Sequence, residues 1–532
     1  MKRINKKWVL STLSLMMATA VVLAGCSQET AKTQESNSSS PANKADPYEA
    51  LPKKVSISMF DRGQVSSDEG TYENNRWVKF IKEQSGIDVS IVPVPRNQAQ
   101  DKLNVLVASQ QAPDLIWEYD RTYIGKLITQ GAVQPIDEYI EKYSTSYKKY
   151  LQENPHLKPY LTFDGKMYAV ATERALDTVA NHGIWIRQDW LDKLNLKAPT
   201  TMEELIEVAQ AFKNKDPDGN GKSDTTPIVG SYSYTFEILS AMNAAVNNQW
   251  YVEDGKMKYG ATLDRFGDAI ALEKQFYELG LVDKEFLTDK NSQRAQQLWA
   301  TGKAGIYMGQ WGMESSNKDL LKNVPDAKPI ALEPVATKNG KNGLYQETPT
   351  FIYVAFNKEM KNPRAAVEYL DWIIEKGWKT LRYGQEGIHY KDVNGVPQTI
   401  DAEKNKKEVL YAGEYAVLRK ETFKASDLLV SAAQDPASQL IASLRANALE
   451  VAMKNKFRRD TPYQPNFNEI NEIQASLRTF LEETRAKATT QGANFTAKWA
   501  LGEIRKEWQR LGGDKAEQLA QEWYEKNKAN FK

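Results

Sequence analysis

Val55-Ser-Ile-Ser-Met-Phe60, Asp88-Val-Ser-Ile-Val-Pro93 and Pro113-Asp-Leu-Ile-Trp117 decide the fold. The first run alternates apolar and polar residues, as a half-buried strand does, and helical patterns over 74–85 and 98–109 separate the three. Strand and helix in alternation predict an α/β body with a parallel, doubly wound sheet in its first lobe. Asp61 and Arg62 follow the first strand at its C-terminal end, where open α/β sheets collect ligands. Arg62 is therefore a candidate contact, against the plainer reading of a surface ion pair.

Further along, Gly165–Val170 and Gly183–Ile186 are short apolar strand candidates, placed where the chain is expected to cross between lobes, and Arg187–Asp192 starts a helix. Thr200 and Thr201, followed three residues later by Glu203 and Glu204, form a capping-box start for a helix to about residue 213. A helix over 266–279, a strand over Gly305–Met308 and a buried strand over Phe351–Phe356 follow, and the pattern after Arg364 is largely helical. No internal repeat is present. At 532 residues the chain exceeds the roughly 250–300 that one core serves, so a two-lobed or multidomain body is expected.

Hydrophobic residues make up 41% and charged residues 26%, the balance of a folded globular protein. Residues 1–25 hold four basic side chains and no acid, which leaves 66 basic against 69 acidic for the rest. Such a body lacks the basic footprint that phosphate backbones demand, so nucleic acid is not an expected partner. The three histidines, His156, His182 and His389, are not in zinc-ligand spacing, and there is no Gly-x-Ser-x-Gly elbow.

The N-terminus has a basic start, an apolar run from Trp8 to Leu23 and the small residues Ala24 and Gly25, as an export signal over residues 1–25 requires. Leu23-Ala-Gly-Cys26 resembles the bacterial lipobox, so Cys26, the single cysteine, is expected to carry a diacylglycerol that anchors the chain to the outer face of the cell membrane. Residues 26–50 read as the lipidated cysteine and a polar tether.

Asp216-Pro-Asp218-Gly-Asn220-Gly-Lys222-Ser-Asp224 is the sharpest chemical signal. Oxygen side chains at positions 1, 3 and 5, glycine at 6, a backbone carbonyl at 7 and an acid at 9 match a calcium loop, with Asp216, Asp218, Asn220, Lys222 and Asp224 as ligands and a structural Ca2+ as cofactor. Position 12 is Pro227 where an EF-hand has a bidentate glutamate, and the exit segment looks extended.

The lipobox, Ala112-Pro-Asp114, Gly131-Ala-Val-Gln-Pro-Ile-Asp137, Trp185-Ile-Arg-Gln-Asp-Trp190, Gly302-Lys-Ala-Gly-Ile306 and Tyr383-Gly-Gln-Glu-Gly-Ile-His-Tyr390 occur in an order that resembles the extracellular solute-binding proteins of carbohydrate ABC importers. The resemblance is particularly to the large Gram-positive lipoproteins and the alginate-oligosaccharide-binding proteins, and it covers most of residues 50–532. The resemblance implies a two-lobed, periplasmic-binding-protein-like fold, a sugar clasped in the cleft at the hinge, a membrane permease as partner, a monomer and no covalent chemistry. Residues 51–170 with about 313–385 would form one lobe, and about 171–312 with 386–532 the other. The alginate-binding relatives carry a further acid directly after the last aspartate of the metal loop, where this chain has Thr225.

Sugars need aromatic platforms beside bidentate polar groups. Trp117 with Asp120, Trp185 with Arg187, and Gln310 with Trp311 are the clusters of that kind, followed by Tyr168, Glu386 and His389. Trp311 leads, because it follows an apolar strand and matches a position where the resembled family places a stacking tryptophan. Arg62, Arg121 and Arg187 would suit the carboxylate of a uronic acid. The expected ligand is an oligosaccharide of plant-wall or uronate-containing type. A secreted carbohydrate-active enzyme and a peptide- or protein-binding lipoprotein are the competing readings.

Overall fold

A computed structural model describes residues 46–289 and 291–531; the expected signal, Cys26 and nearly all of the tether lie outside the described residues. Residues Tyr48–Lys532 form one compact unit. Nine strands build its two larger sheets: β1 (Lys54–Asp61), β2 (Asp88–Pro95), β3 (Leu115–Glu118), β4 (Ala169–Val170), β5 (His182–Arg187), β6 (Thr226–Val229), β7 (Ala304–Gln310), β8 (Pro329–Leu332) and β9 (Tyr353–Phe356). The first sheet runs β2-β1-β3-β9-β4 and the second β8-β5-β7-β6.

The first three strands form the expected parallel set, with Ile57 beside both Ile91 and Leu115. The sheet is not parallel throughout, because β9 runs antiparallel to both β3 and β4. Its direction follows from its route: β9 comes back from the second lobe and enters the sheet from the opposite end. The intervening helices are capped locally. Asn75 accepts the amides of Trp77 and Val78 ahead of Arg76–Ser85, and Gly86 closes that helix at φ +68°. Thr201 and Glu204 complete the capping box of Met202–Asn214. Asp114 ties β3 to β1 by accepting both the amide and the hydroxyl of Ser56 at 2.8 Å.

The lobe boundaries differ from those read in the sequence. Residues 329–332, expected in the first lobe, pair with β5 in the second sheet. Val409, Tyr411, Tyr415 and Leu418, expected in the second, pack into the core of the first. The region after Arg364 also holds a hairpin, Tyr390–Val393 with Val396–Thr399, among its helices. In the second sheet, alternation sends Ile184 and Ile186 of β5 into one core and Trp185 into another, which also holds Tyr307 and helix Pro436–Lys454 residues such as Leu449.

Candidate functional site at the hinge

Three segments connect the sheets. The first follows β4 through residues 171–181, and the second returns through 345–352. The two run antiparallel, with bridges at Glu173 to Thr350 and Ala180 to Gln346. The third begins at Arg419, whose amide donates to the Thr172 hydroxyl at 3.1 Å.

On the first-lobe side, Tyr119 meets Phe351 edge-on with ring centres 5.5 Å apart. The guanidiniums of Arg174 and Arg419 both lie over Phe351, at 5.3 and 4.1 Å. Arg62 donates to Glu414 at 2.7 Å and to the Tyr119 hydroxyl at 3.3 Å. Burial raises the Glu414 carboxyl above its usual range although Arg62 pulls it down. Burial also works to raise Glu421, but Arg382 and Arg419 outweigh it and hold that carboxyl below the usual range. The hinge is therefore a dense lattice of guanidiniums, carboxylates and aromatic faces.

On the second-lobe side, Asn181, His182, Tyr234, Glu237, Asn247 and Tyr345 line a cavity of about 450 Å³. His182 is 4% exposed. Its Nε2 lies 3.0 Å from the Glu237 carboxylate but out of line for a hydrogen bond, and Nδ1 has no protein partner. Both ring nitrogens are buried, so the imidazole meets the cavity alongside the Glu237 carboxylate and not as an open polar edge. Gln310, opposite His182 in the strand register, donates to the Tyr234 hydroxyl at 3.3 Å and extends the polar rim.

The candidates named from sequence divide between rim and core. Arg62 and Gln310 reach the cleft region as described. Trp311 is 8% exposed at the end of β7, with Arg445 5.7 Å from its ring centre. Tyr168 is half-buried and edge-on to Phe163. Asp120 is exposed and caps helix Arg121–Thr129 through the Thr122 amide. Trp117 and Trp185 are fully buried, Trp117 against Phe60 at 4.1 Å, and offer no face to a ligand. Arg187 is 3% exposed, paired with Asp189 and stacked on Trp190, so it secures a helix start and is out of reach. His389 is buried between the Gln385 amide and Glu408, and Glu386 is exposed in the turn that this histidine holds. Tyr119, Phe351, Tyr234, Glu237 and Tyr345 went unmarked, because no short motif surrounds them and the crossing segments bring them together from far apart.

The loop 216–224 is organised around its carboxylates. Asp216, at φ +46°, accepts the amides of Gly219, Asn220 and Gly221, and the Asn220 amide bridges Asp218 and Asp224 at 2.8 and 2.9 Å. Lys222 is exposed, and its amide donates to Asn220 Oδ1. Lys303 pairs with Asp224 at 2.8 Å, and Thr225 donates to the Phe212 carbonyl. The exit is β6, extended as the sequence indicates. Among the described residues no three carboxylate, histidine or cysteine side chains converge as a ready metal cage. The donor set nevertheless fits a hard cation. Asp218 Oδ1 is buried without a partner, and the Asp218 carboxyl, raised by burial and then by the neighbouring Asp216, faces two further acids.

Known proteins place these features in context. The family model for "Bacterial extracellular solute-binding protein" matches residues 68–380. The polygalacturonan/rhamnogalacturonan-binding protein YtcQ of Bacillus subtilis is 27% identical over 403 residues, covering 73% of this chain and 74% of its own. The fructooligosaccharide substrate-binding protein FusA of Streptococcus pneumoniae is 25% identical over 466 residues, 81% of this chain and 83% of its own. An EF-hand mutant of FusA with fructo-nystose has a solved structure of TM-score 0.68, at 18% identity over 90% of this chain and all of that one. The alginate-binding protein AlgQ2, solved without calcium ion, superposes with TM-score 0.68 at 21% identity over 89% of this chain and 98% of that one. These likenesses establish the two-lobed solute-binding fold.

Proposed function

Because the chain belongs to the bacterial extracellular solute-binding protein family, we propose that it captures an oligosaccharide in the cleft at its hinge and hands it to an ABC-type importer. The observation that carries this reading is the cavity beside the crossing segments, where amides, phenols, a carboxylate and an imidazole share one wall. Such groups match the alternating donors and acceptors of sugar hydroxyls, and tyrosine faces match the apolar sides of sugar rings. Polysaccharide fragments, fructooligosaccharide and alginate are named for its relatives and support the class.

Binding is a population shift. A sugar touching both lobes favours the closed arrangement by as much as its extra contacts there are worth, and the crossing segments absorb the change. No bond in the ligand is made or broken. The protein acts as a monomer, held on the outer face of the membrane by a diacylglycerol on Cys26. Among the described residues no helix is long and apolar enough to cross a bilayer. Calcium in the loop 216–224 would be held by Asp216, Asp218, Asn220, the Lys222 carbonyl and Asp224, and would neutralise their mutual repulsion.

The test is a melting-temperature and calorimetric titration of residues 27–532 with neutral and acidic oligosaccharides, followed by product analysis. A ligand at a hundred times its dissociation constant adds about 2.7 kcal/mol of stability. Binding without hydrolysis, weakened about tenfold by Tyr234→Phe or Glu237→Gln, is the expected result. Cleavage of the sugar would establish an enzyme, and a protein stabilised by peptides but no sugar would be a different kind of lipoprotein.

A further inference from the structure

Three arginines surround one wall of tyrosines beside the cavity. Arg121 begins helix Arg121–Thr129, Arg174 lies in the first crossing segment, and Arg459 follows helix Pro436–Lys454. Each pair acts on a shared phenol whose ionisation burial opposes: Arg121 and Arg459 on Tyr160, Arg121 and Arg174 on Tyr353, Arg174 and Arg459 on Tyr345. Geometry supports the grouping: Arg174 and Arg459 donate to the carbonyls of Thr348 and Gln346, two residues apart on the returning segment, and Arg121 stacks on Tyr463, four residues beyond Arg459; the Tyr463 ring meets that of Tyr160 at 5.5 Å. Tyr345 belongs both to it and to the cavity wall.

Counter-charge is scarce there. The Arg121 guanidinium is sandwiched between Phe163 and Tyr463, at 4.0 and 4.4 Å, and donates Nε and Nη2 to the carbonyls of Tyr160 and Thr162 at 2.8 Å each. Arg459 rests on Tyr345 and Phe457 and donates to the Gln346 carbonyl. Arg174 donates to the Thr348 carbonyl and has Glu347 at 3.9 Å. Among the described residues neither Arg121 nor Arg459 forms an ion pair with a carboxylate. Cations packed between aromatic rings and given only carbonyl dipoles are costly to hold, unless a ligand brings the missing anion. The cavity next to them is lined by amides, hydroxyls, His182 and Val246 with Glu237 as its one carboxylate, and it has no lysine or arginine in its lining.

We infer that the cleft selects a mixed oligosaccharide: a uronate carboxylate is taken by Arg121, Arg174 and Arg459, and neutral sugar residues occupy the cavity of His182, Tyr234 and Asn247. A planar fork is the geometry that pairs with a carboxylate, and Nη1 of Arg121 has no protein acceptor to displace. This inference rests on the oligosaccharide reading above and adds the charge of the ligand to it.

The experiment compares matched pairs on the chain from Ser27, which carries the whole compact unit. One pair is aldotetraouronic acid and its carboxyl-reduced form; another is trigalacturonate and its carboxyl-reduced form; neutral xylo- and fructooligosaccharides complete the set. In at least one pair the acid should bind tenfold or more tighter than its reduced partner, with an advantage that shrinks as salt is raised. Arg459→Gln should weaken the acid far more than its reduced partner and so collapse that ratio, and Arg459→Lys should restore part of it. Reduced or neutral sugars that bind as tightly as acids would overturn the inference and leave the oligosaccharide reading standing. An Arg459→Gln variant that weakens both members of a pair equally would overturn it as well. Absence of binding to every sugar would remove both.

Discussion

Replacing Glu273 with alanine removes one half of an ion pair that joins helix Asp264–Glu278 to helix Asn468–Thr490. Glu273 is 1% exposed and Arg485 4%, and their Oε2 and Nε lie 3.2 Å apart. Burial pushes the Glu273 carboxyl up, and Arg485 together with the Thr489 hydroxyl, at 3.0 Å, pulls it back. In the variant, Arg485 stays pinned over Tyr232 and Phe236, at 3.9 and 4.0 Å, with no carboxylate partner. A buried charge stranded in this way costs about 3–5 kcal/mol. Replacing both partners, as in Glu273→Leu with Arg485→Met, should recover most of that loss, because the desolvation cost of both ions disappears with them. Urea unfolding followed by tryptophan fluorescence is the assay, since Trp190, Trp250 and Trp508 lie in the same core. Tyr232 and Phe236 sit on the helix that presents Tyr234 and Glu237 to the cavity, so sugar affinity should fall along with stability. A Glu273→Ala loss below about 1 kcal/mol, or a double variant no more stable than the single one, would refute the reasoning.

Three further outcomes are expected. Gly183→Ala would place a methyl 2.7 Å from the Trp311 Cα and 3.2 Å from the Gln310 carbonyl, backbone atoms that cannot swing aside, so thermal unfolding should report a loss of about 1–3 kcal/mol and calorimetry a weaker sugar. Glu333, bonded to Lys341 and Lys454 at 2.6 and 2.5 Å, has its carboxyl held down to about 2 from 4.5. A folded value below the unfolded one gives stability that is full above pH 4.5 and lost as pH falls toward 2, so Glu333→Gln should flatten the melting-temperature profile across that window. Calcium should raise the melting temperature, chelator should lower it, and Asp218→Asn should abolish the difference.

The sequence was most informative where local rules govern. The alternation in β1, the capping box at Thr201 and the extended exit of the loop 216–224 are each settled by a few neighbouring residues, and all three occur in the structure. Tryptophans misled, because a residue beside charged neighbours looks like a rim residue: Trp185 has Arg187 two positions on, yet both are buried, one in a core and one in an ion pair. The hinge aromatics were illegible for the opposite reason. Tyr119 and Phe351 meet only because β3 and β9 are paired, and that pairing depends on a return path through a whole lobe. The lobe boundaries failed on the same point, since β8 carries no mark that distinguishes which sheet it joins.

The position of β9 between β3 and β4 also fixes a timetable. A chain released N-terminus first cannot complete its first sheet until residue 356 has emerged, whereas every strand of the second sheet has appeared by residue 332. Closing so long a loop before any contact rewards it slows maturation of the lobe with which the body begins. The strands of the second sheet are therefore all present before the first sheet can close, and until residue 356 appears β3 and β4 wait with an open place between them.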